Sequence, residues 1–348
     1  MATIKEIASK SNVSIATVSR VLNNDTSLSV TSETRQRIIN VANQLNYQTG
    51  RGRKRQPKKT NPTYKFGILM CQSFEEELSD PYFLSIRHGI ESQCKSLHIE
   101  VNAVYRISDF DLDQLNVHLD GLIIVGKIDE ILVETIHQKI NQLVFVDYSP
   151  DENYFDAIVI DFEKSTWLAL DHLLSLGYNN IGYIGGEQGK HIKANEKWVI
   201  DDERYLFFTK KMKELGKYNA SHVLVGDFTM SDGYRLMEEA INKGSLPEAC
   251  FIASDPMAVG ALRALQEAGI KVPEDIAIVS FDNVEMAQFA SCPLSTIHVP
   301  TDLMGKTSVK LLLDRLQGRD IPLKVTVPTT FVQRESCGAK AKEQRIQN

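Results

Sequence analysis

The stretch Val13-Ser14-Ile15-Ala16-Thr17-Val18-Ser19-Arg20-Val21-Leu22-Asn23 decides how the N-terminal region is interpreted. A turn at residues 11–13 separates two short runs with apolar residues at helical spacing, and Ser14 is placed to cap the second, because its hydroxyl can accept from a free backbone N–H. The outer face of the second run carries short side chains and one cation: Ile15, Ala16, Thr17, Ser19 and Arg20. Such a face fits a major groove, so the pattern predicts a helix-turn-helix whose second helix reads DNA.

A small helical hairpin without any ligand is the alternative for this region, because such hairpins are common. Two features favour the DNA-binding interpretation. A third amphipathic helix is predicted over residues 32–46, with Thr31 as its cap. The charge is also uneven: residues 1–60 hold eleven Lys/Arg and three Asp/Glu, a net of +8, whereas the whole chain has a net charge of −6. A basic head on an acidic body predicts that the head alone meets a polyanion.

Residues 48–63 form a linker between this head, residues 1–47, and the rest of the chain. Glycine, proline and a run of cations make the segment poorly folded alone. It is either a solvated tether or a segment that orders on DNA, and Arg51, Arg53 and Arg55 are its candidate DNA contacts.

From Tyr64 onward, short apolar runs alternate with longer amphipathic ones. Strands are predicted at 66–70, 99–104, 122–125, 144–147, 157–160, 181–185, 223–225, 250–253 and 276–280. The predicted helices are 81–97, 164–176, 198–215, 231–242, 255–268 and 301–316. Strand-helix alternation is typical of parallel sheets covered by helices on both faces, and the number of strands favours two doubly wound lobes in series. The predicted fold class is therefore α/β, with a three-helix helix-turn-helix head and two such lobes.

Ligands of doubly wound sheets bind beyond the carboxyl ends of the strands, where several polar side chains fall. These are Asp147, Ser254, Asp255, Asp282 and Asn283, with Arg204 at the start of a helix. Carboxylates and a guanidinium can each hold two adjacent hydroxyls of a polyol, and Phe228, or Tyr82 and Phe83, can stack on a sugar ring. The alternative is that each acidic or amide residue merely caps the next helix.

Other chemistry finds little support in the sequence. The segment 185–190 resembles a phosphate loop only superficially and is interpreted as a loop, since His191 stands where Ser or Thr is needed. The five cysteines form no CxxC pair and are expected to be reduced, buried thiols. We find no metal-ligand spacing, no catalytic constellation, no cofactor motif and no signal-peptide core, so a cytoplasmic protein that is not an enzyme is expected.

The N-terminal residues 2–23, ATIKEIASKSNVSIATVSRVLN, resemble the head of the lactose/galactose repressor family, and residues 40–47, NVANQLNY, resemble the end of its third helix. Three body segments extend the resemblance: 171–186, DHLLSLGYNNIGYIGG; 253–263, ASDPMAVGALR; and 273–282, PEDIAIVSFD. It covers almost the whole chain, to about residue 334.

The resemblance implies a homodimeric transcriptional regulator with a body of periplasmic-binding-protein type, in which a small effector, usually a sugar, changes operator affinity. It implies DNA contacts from Thr17, Ser19, Arg20 and Asn23, with Ile15 and Ala16 choosing bases. We add Ser14 to this set. The candidate effector-binding residues are Asp80, Tyr82, Asp147, Arg204, Phe228, Ser254 and Asp282.

The chain departs from the lactose repressor at three pocket positions. Ser254 stands in place of an Asn, Val299 in place of a Gln and Thr301 in place of a Phe, which leaves the identity of the sugar open. The tail, 339–348, lacks a leucine heptad, so a tetramer is not implied. Within the body, residues 64–338, the first lobe is predicted to comprise 64–160 and 300–322, and the second 161–298 and 323–338.

The leading hypothesis is a repressor of a sugar-utilisation operon, with a galactoside as the favoured effector. A corepressor-dependent or activating regulator is the alternative with the same architecture. A soluble sugar-binding protein is the alternative from another class, but it would not need the basic head.

Overall fold

The computed structural model describes residues 3–23, 25, 28–45, 47, 64–112, 115, 118–193 and 196–339. The chain forms two compact units, residues 1–61 and 62–348. We call them the head and the body, and each is described by itself.

The head consists of three helices, α1 (Ile4–Ser11), α2 (Ile15–Leu22) and α3 (Ser32–Gln44). The predicted caps are confirmed: the hydroxyls of Ser14 and Thr31 accept from the backbone N–H groups of Thr17 and Thr34. Asn12 ends α1 in the left-handed conformation, which turns the chain towards α2. One side of each helix is buried in a shared core of Ile7, Ala8, Val18, Val21, Ile38 and Ala42.

The body contains nine helices and fourteen strands within its described residues. The helices are α4 (Phe74–Ser79), α5 (Pro81–Leu97), α6 (Glu130–Lys139), α7 (Phe162–Ser175), α8 (Glu203–Glu214), α9 (Met230–Asn242), α10 (Asp255–Glu267), α11 (Glu285–Phe289) and α12 (Thr301–Leu316). The strands are β1 (Lys65–Met70), β2 (Glu100–Arg106), β3 (Gly121–Val125), β4 (Leu143–Val146), β5 (Asp156–Ile160), β6 (Ile181–Gly186), β7 (Gln188–Lys193), β8 (Glu196–Ile200), β9 (Val223–Gly226), β10 (Ala249–Ile252), β11 (Ala277–Asp282), β12 (Ser295–His298), β13 (Lys324–Val327) and β14 (Thr330–Val332).

Two six-stranded sheets define the two lobes that the sequence predicts. The first has the order β13-β5-β4-β3-β1-β2, and the second has the order β14-β12-β11-β10-β6-β9. All neighbouring strands are parallel except β12 and β14. Fully buried runs such as Leu122–Val125 lie at the centre of the sheets, as expected for strands covered on both faces.

One predicted lobe boundary is wrong. Strand β13 pairs with β5 in the first sheet, so the chain crosses to the second lobe between Val327 and Thr330 and not at 322/323. The side chain of Asp156, on β5, accepts from the guanidinium of Arg319 and from the backbone N–H of Leu323. These bonds hold the segment before β13 against the first sheet.

The structure also corrects the prediction for residues 185–200. Residues 198–200 lie in strand β8 and not in a helix, and the expected loop at 185–190 contains the end of β6 and the start of β7. Strands β7 and β8 form an antiparallel hairpin outside both sheets. Polar and charged side chains dominate β7, so the apolar alternation that marks a half-buried strand is absent there.

In each lobe, two helices cross at a pair of glycines. A Cβ atom on Gly233 of α9 would overlap the backbone of Met257, and one on Gly260 of α10 would overlap that of Met230. Helices α5 and α12 meet in the same way at Gly89 and Gly305. Backbone therefore packs on backbone at both crossings.

None of the described helices is both long enough and apolar enough to cross a membrane.

Candidate functional site

The outer face of α2 carries the side chains that the sequence assigns to DNA. Ile15 is 51% exposed, and Ala16 and Arg20 are also exposed, whereas Val18 and Val21 face the core. Ser14 caps the helix and its hydroxyl lies 2.8 Å from that of Thr17, while the side-chain amide of Asn23 donates to the carbonyl of Ser19. These bonds fix the side chains at both ends of a short helix.

Arg20 does not extend freely from this helix. Its Nε atom lies 2.7 Å from a carboxylate oxygen of Asp25, and both side chains remain partly exposed. The guanidinium is thereby oriented at the end of α2, where a phosphate contact is expected. The other predicted DNA contacts, Arg51, Arg53 and Arg55, lie outside the described residues.

The body encloses a cavity of about 430 Å³ that is lined by residues from both lobes. All seven candidate effector residues lie in its wall: Asp80, Tyr82, Asp147, Arg204, Phe228, Ser254 and Asp282. Asp147 directly follows β4, Ser254 follows β10, and Asp282 ends β11. The carboxyl ends of both sheets therefore meet at one cavity, as the strand-end pattern predicts.

Arg204 forms the most connected part of this wall. Its Nε and one Nη atom each lie 2.8 Å from the carboxylate of Asp202, and the other Nη donates to the carbonyl oxygen of Ala253 at 2.7 Å. Three aromatic rings surround the guanidinium, with centroids 4.9–5.2 Å from its central carbon: Phe162, Phe228 and Phe281. These bonds use three of its five N–H groups, so most of its donors hold the fold.

Asp147 and Tyr82, both from the first lobe, form a hydrogen-bonded pair in the same wall. The Tyr82 hydroxyl donates to the Asp147 carboxylate at 2.8 Å. Burial raises the pKa of Asp147 to about 6, while Lys127, Tyr82 and Arg204 oppose that shift. Asp147 is a non-glycine residue with φ of 64°, a strained conformation that recurs at binding sites.

Asp282 shares the cavity with a second carboxylate. Burial, followed by the charge of Asp80, raises the pKa of Asp282 well above its usual value, although Arg204 opposes the shift. Asp282 also has a strained backbone, with φ of 103°. Oxygen acceptors held by strained backbone at strand ends form a site prepared for hydroxyl donors.

Neighbouring strand-end residues have structural roles. The Asp255 carboxylate accepts from the hydroxyls of Ser280 and Thr296 and from the backbone of Val284, and Asp255 does not line the cavity. The side-chain oxygen of Asn283 accepts from Arg334. The side chains of these two residues therefore hold neighbouring segments together and do not cap the next helix, as the alternative had it. The residue that caps α10 is Ser254, whose hydroxyl accepts from the backbone N–H of Met257.

Two of the three departures from the lactose repressor also lie outside the cavity wall. Val299 is buried, and the Thr301 hydroxyl lies 2.8 Å from that of Ser85. Neither residue is among those that line the cavity.

Sequence reasoning missed nearly two thirds of the wall, 14 of its 22 residues. The residues that the sequence did not assign are Cys71, Gln72, Glu75, Glu76, Ser79, Gly126, Lys127, Phe162, Glu187, Gln188, Gly189, His191, Asp227 and Thr229. Gly126 and Lys127 directly follow β3, so the strand-end rule could have found them. The sequence carries no comparable signal for three further wall residues in the hairpin, Gln188, Gly189 and His191.

The cavity is acidic. Seven carboxyl residues line it: Glu75, Glu76, Asp80, Asp147, Glu187, Asp227 and Asp282. Of the wall's two Lys/Arg side chains, Lys127 pairs with Glu203 at 3.2 Å and Arg204 pairs with Asp202. The described residues contain no group of His, Cys, Asp and Glu side chains that could hold a metal ion. The wall therefore suits hydroxyl donors better than anions.

Asp147→Asn tests the cost of burying this carboxyl group. The pKa in the folded state, about 6, lies above the ordinary value of 3.8, so the folded protein holds the proton more tightly. As far as this group is concerned, the free energy of unfolding is therefore highest below about pH 4, falls as the pH rises towards 6, and stays lower above that pH. We expect the free energy of unfolding of the variant at pH 8 to exceed that of the wild type by about 1–3 kcal/mol, which also raises its melting temperature, and we expect the two proteins to match at pH 4. Equal melting temperatures of the variant and the wild type at pH 8 would contradict a buried carboxyl group with a raised pKa.

Two family models match the chain. Residues 3–50 match "Bacterial regulatory proteins, lacI family", and residues 170–337 match "Periplasmic binding protein-like domain". The HTH-type transcriptional repressor MelR of Bacillus subtilis is 48% identical over 99% of both chains. The HTH-type transcriptional regulator GalR of Lacticaseibacillus casei is 36% identical over 97% of this chain and 99% of its own. The lac repressor dimer bound to operator and the anti-inducer ONPF is a structural neighbour, with a TM-score of 0.67, 25% identity and coverage of 97% and 99%.

Proposed function

This chain belongs to the lacI family of bacterial regulatory proteins and is a sugar-responsive DNA-binding repressor, not an enzyme, and we propose that an uncharged sugar in the body's cavity releases it from its operator. The observation that carries this proposal is the cavity itself. Carboxylates and aromatic rings from the strand ends of both lobes converge there, and these groups recognise hydroxyls and the apolar faces of sugar rings.

The charge of the wall supports a neutral sugar over a phosphorylated one. A phosphate group would bring nearly two negative charges to seven carboxyl residues, while both cations are already paired. A galactoside is the first candidate, because segments 80–91 and 122–127 resemble the repressor of the evolved β-galactosidase operon. The regulated genes are then those of a sugar-utilisation operon.

The assembly and the cellular site belong to the same proposal. The protein works in the cytoplasm as a homodimer that presents two heads to a pseudo-palindromic operator, as the lac repressor dimer does with its operator. Residues 1–47 bind DNA, residues 64–338 bind the effector, and residues 48–63 join them. Arg51, Arg53 and Arg55 contribute charge to the minor groove, which at A·T-rich centres is narrow and electronegative.

The test combines two assays on the full-length protein. A thermal-shift screen of galactosides, glucosides, their 6-phosphates and purines identifies what binds, because a compound that binds only the folded state raises the melting temperature. A gel-shift assay with genomic fragments then follows operator release. We expect a neutral sugar to stabilise the protein and to release the DNA. Tighter DNA binding with the sugar would make it a corepressor, and stabilisation by a purine or a sugar phosphate alone would contradict the proposal.

Exchanging Ile15 and Ala16 should change which operator is preferred, because their side chains lie on the exposed face at the start of α2. Arg20→Ala should instead weaken all operators about equally, since a phosphate contact carries little sequence information. Selection of operators from a randomised pool measures both effects. Unchanged selection by the Ile15/Ala16 variants, with DNA still bound, would remove these residues from base recognition.

A further inference from the structure

The β7–β8 hairpin belongs to the second lobe by its place in the chain but contacts the first. It follows β6 and precedes α8, both of which are parts of the second lobe. Yet Ile128 of the first lobe forms a parallel bridge with His191 of β7. The N–H of Asp129 donates to the carbonyl of His191 at 2.7 Å, and the N–H of His191 donates to the carbonyl of Lys127 at 3.0 Å.

An ion pair reinforces this bridge between the lobes. The Lys190 ammonium donates to the Glu130 carboxylate, and it also lies 5.8 Å from the centroid of the Tyr148 ring. A second pair joins Lys127 of the first lobe to Glu203, the first residue of α8. Backbone and side-chain contacts therefore cross between the lobes along one edge of the cavity.

The same strand forms part of the cavity wall. Gln188, Gly189 and His191 all line the cavity. The amide oxygen of Gln188 is buried and has no hydrogen-bond partner, and the same is true of Gln72 on the opposite lobe. A buried amide oxygen without a partner costs free energy, and a ligand hydroxyl that reaches it would recover that cost.

We propose that the hairpin is an effector-binding clasp, in which Gln188 accepts a hydrogen bond from the sugar while Lys190 and His191 tie the hairpin to segment 127–130 of the other lobe. This inference rests on the proposed function, because it assigns a new element to the same site. Closing the clasp and enclosing the sugar stabilise one another, so contacts that never touch the sugar contribute to its affinity.

Charge reversal at the clasp separates this role from a merely structural one. Lys190→Glu places two carboxylates together at the lobe junction, and we expect the affinity for sugar to fall about fivefold or more. The double variant Lys190→Glu/Glu130→Lys restores the pair with its signs exchanged and should return to within about twofold of the wild type. Lys243→Glu is the matched control. Its partner Glu239 lies four residues earlier, on α9, so this ion pair does not connect the two lobes.

The contact with the sugar is tested separately by Gln188→Leu, which removes the amide at similar volume. We expect its affinity for sugar to fall about three- to tenfold, while the melting temperature without sugar stays level or rises. The probe is the neutral galactoside or glucoside that stabilises the wild type most, and affinity is measured by calorimetry on the full-length protein.

A spectroscopic readout follows the hairpin itself. The chain has two tryptophans, and Trp198 lies on β8 with 61% of its surface exposed. In a Trp167→Phe background, the probe sugar should change the emission of Trp198, and Lys190→Glu should diminish that change at saturating sugar.

The outcomes distinguish two failures. A wild type that binds no sugar overturns the proposed function and the clasp with it. A wild type that binds sugar, with Lys190→Glu and Gln188→Leu binding equally well, overturns the clasp alone. A loss in Lys190→Glu that the double variant does not recover also overturns it.

Discussion

Replacing Arg204 by alanine should lower the free energy of unfolding of the body by about 3–5 kcal/mol, the largest effect we expect from a single substitution. Arg204 is 7% exposed, and its partner Asp202 is 1% exposed. The substitution leaves the Asp202 carboxylate buried without its guanidinium, and it removes the cation that three aromatic rings surround. Denaturant titration followed by tryptophan fluorescence measures the body, because both tryptophans lie there.

Two controls separate buried charge from lost packing. Asp202→Ala/Arg204→Ala removes both charges and should be less destabilised than Arg204→Ala, since no buried carboxylate remains unpaired. Arg235→Ala breaks an exposed pair with Asp232 and should cost less than about 1 kcal/mol. An Arg204→Ala protein within 1 kcal/mol of the wild type would show that the pair does not hold the fold.

The structure thereby revises what the sequence suggests about Arg204. As a candidate effector-binding cation at the start of a helix, it is expected to act mainly on the effector and to leave DNA binding intact when removed. Because Asp202 and Ala253 occupy three of its donors, Arg204→Ala should weaken every function through instability. Its effect on sugar affinity is better tested with Arg204→Lys.

Asp282→Ala should abolish the response to sugar while operator binding persists. Asp282 is a buried carboxylate in the cavity wall, and losing such a partner in a closed site should cost about 2–5 kcal/mol of effector affinity. The free energy of unfolding should change in the opposite direction to the sugar affinity. Burial raises the pKa of Asp282, so the folded protein is destabilised as the pH rises through that value, and the variant should be more stable at pH 8.

Calorimetry with the stabilising sugar and a gel shift measure the two sides of this prediction. Asp282→Asn is the conservative comparison, because an amide oxygen still accepts one hydrogen bond, and it should lose less affinity than Asp282→Ala. A variant that releases its operator at wild-type sugar concentrations would remove Asp282 from the site.

The head and the strand-end part of the cavity could be predicted because both depend on local rules. Ser14 and Thr31 cap helices through contacts three residues away, and Asp147 and Asp282 follow strands whose carboxyl ends must meet at one edge. The hairpin could not be predicted in this way. Its first strand is stabilised by pairing with β8 and by a bridge to Ile128, and such distant contacts leave no period in the sequence.

The role of Arg204 and the place of β13 escaped prediction for a related reason. Whether a guanidinium faces a ligand or a carboxylate depends on Asp202, Ala253 and three rings from separate elements. Strand β13 lies in the first sheet because it pairs with β5, which precedes it by more than 160 residues.

That pairing has a consequence for synthesis on the ribosome. Elements α12 and β13 complete the first lobe, but the second-lobe residues 161–300 are made before them. At ordinary rates of translation, roughly 10–30 s pass between the emergence of β5 and that of β13. During this interval the apolar surface that Val309 and Leu312 later cover stays open to solvent. A nascent chain that stops before Val327 lacks the closing edge of its first lobe, so we expect chaperones and proteases to recognise it.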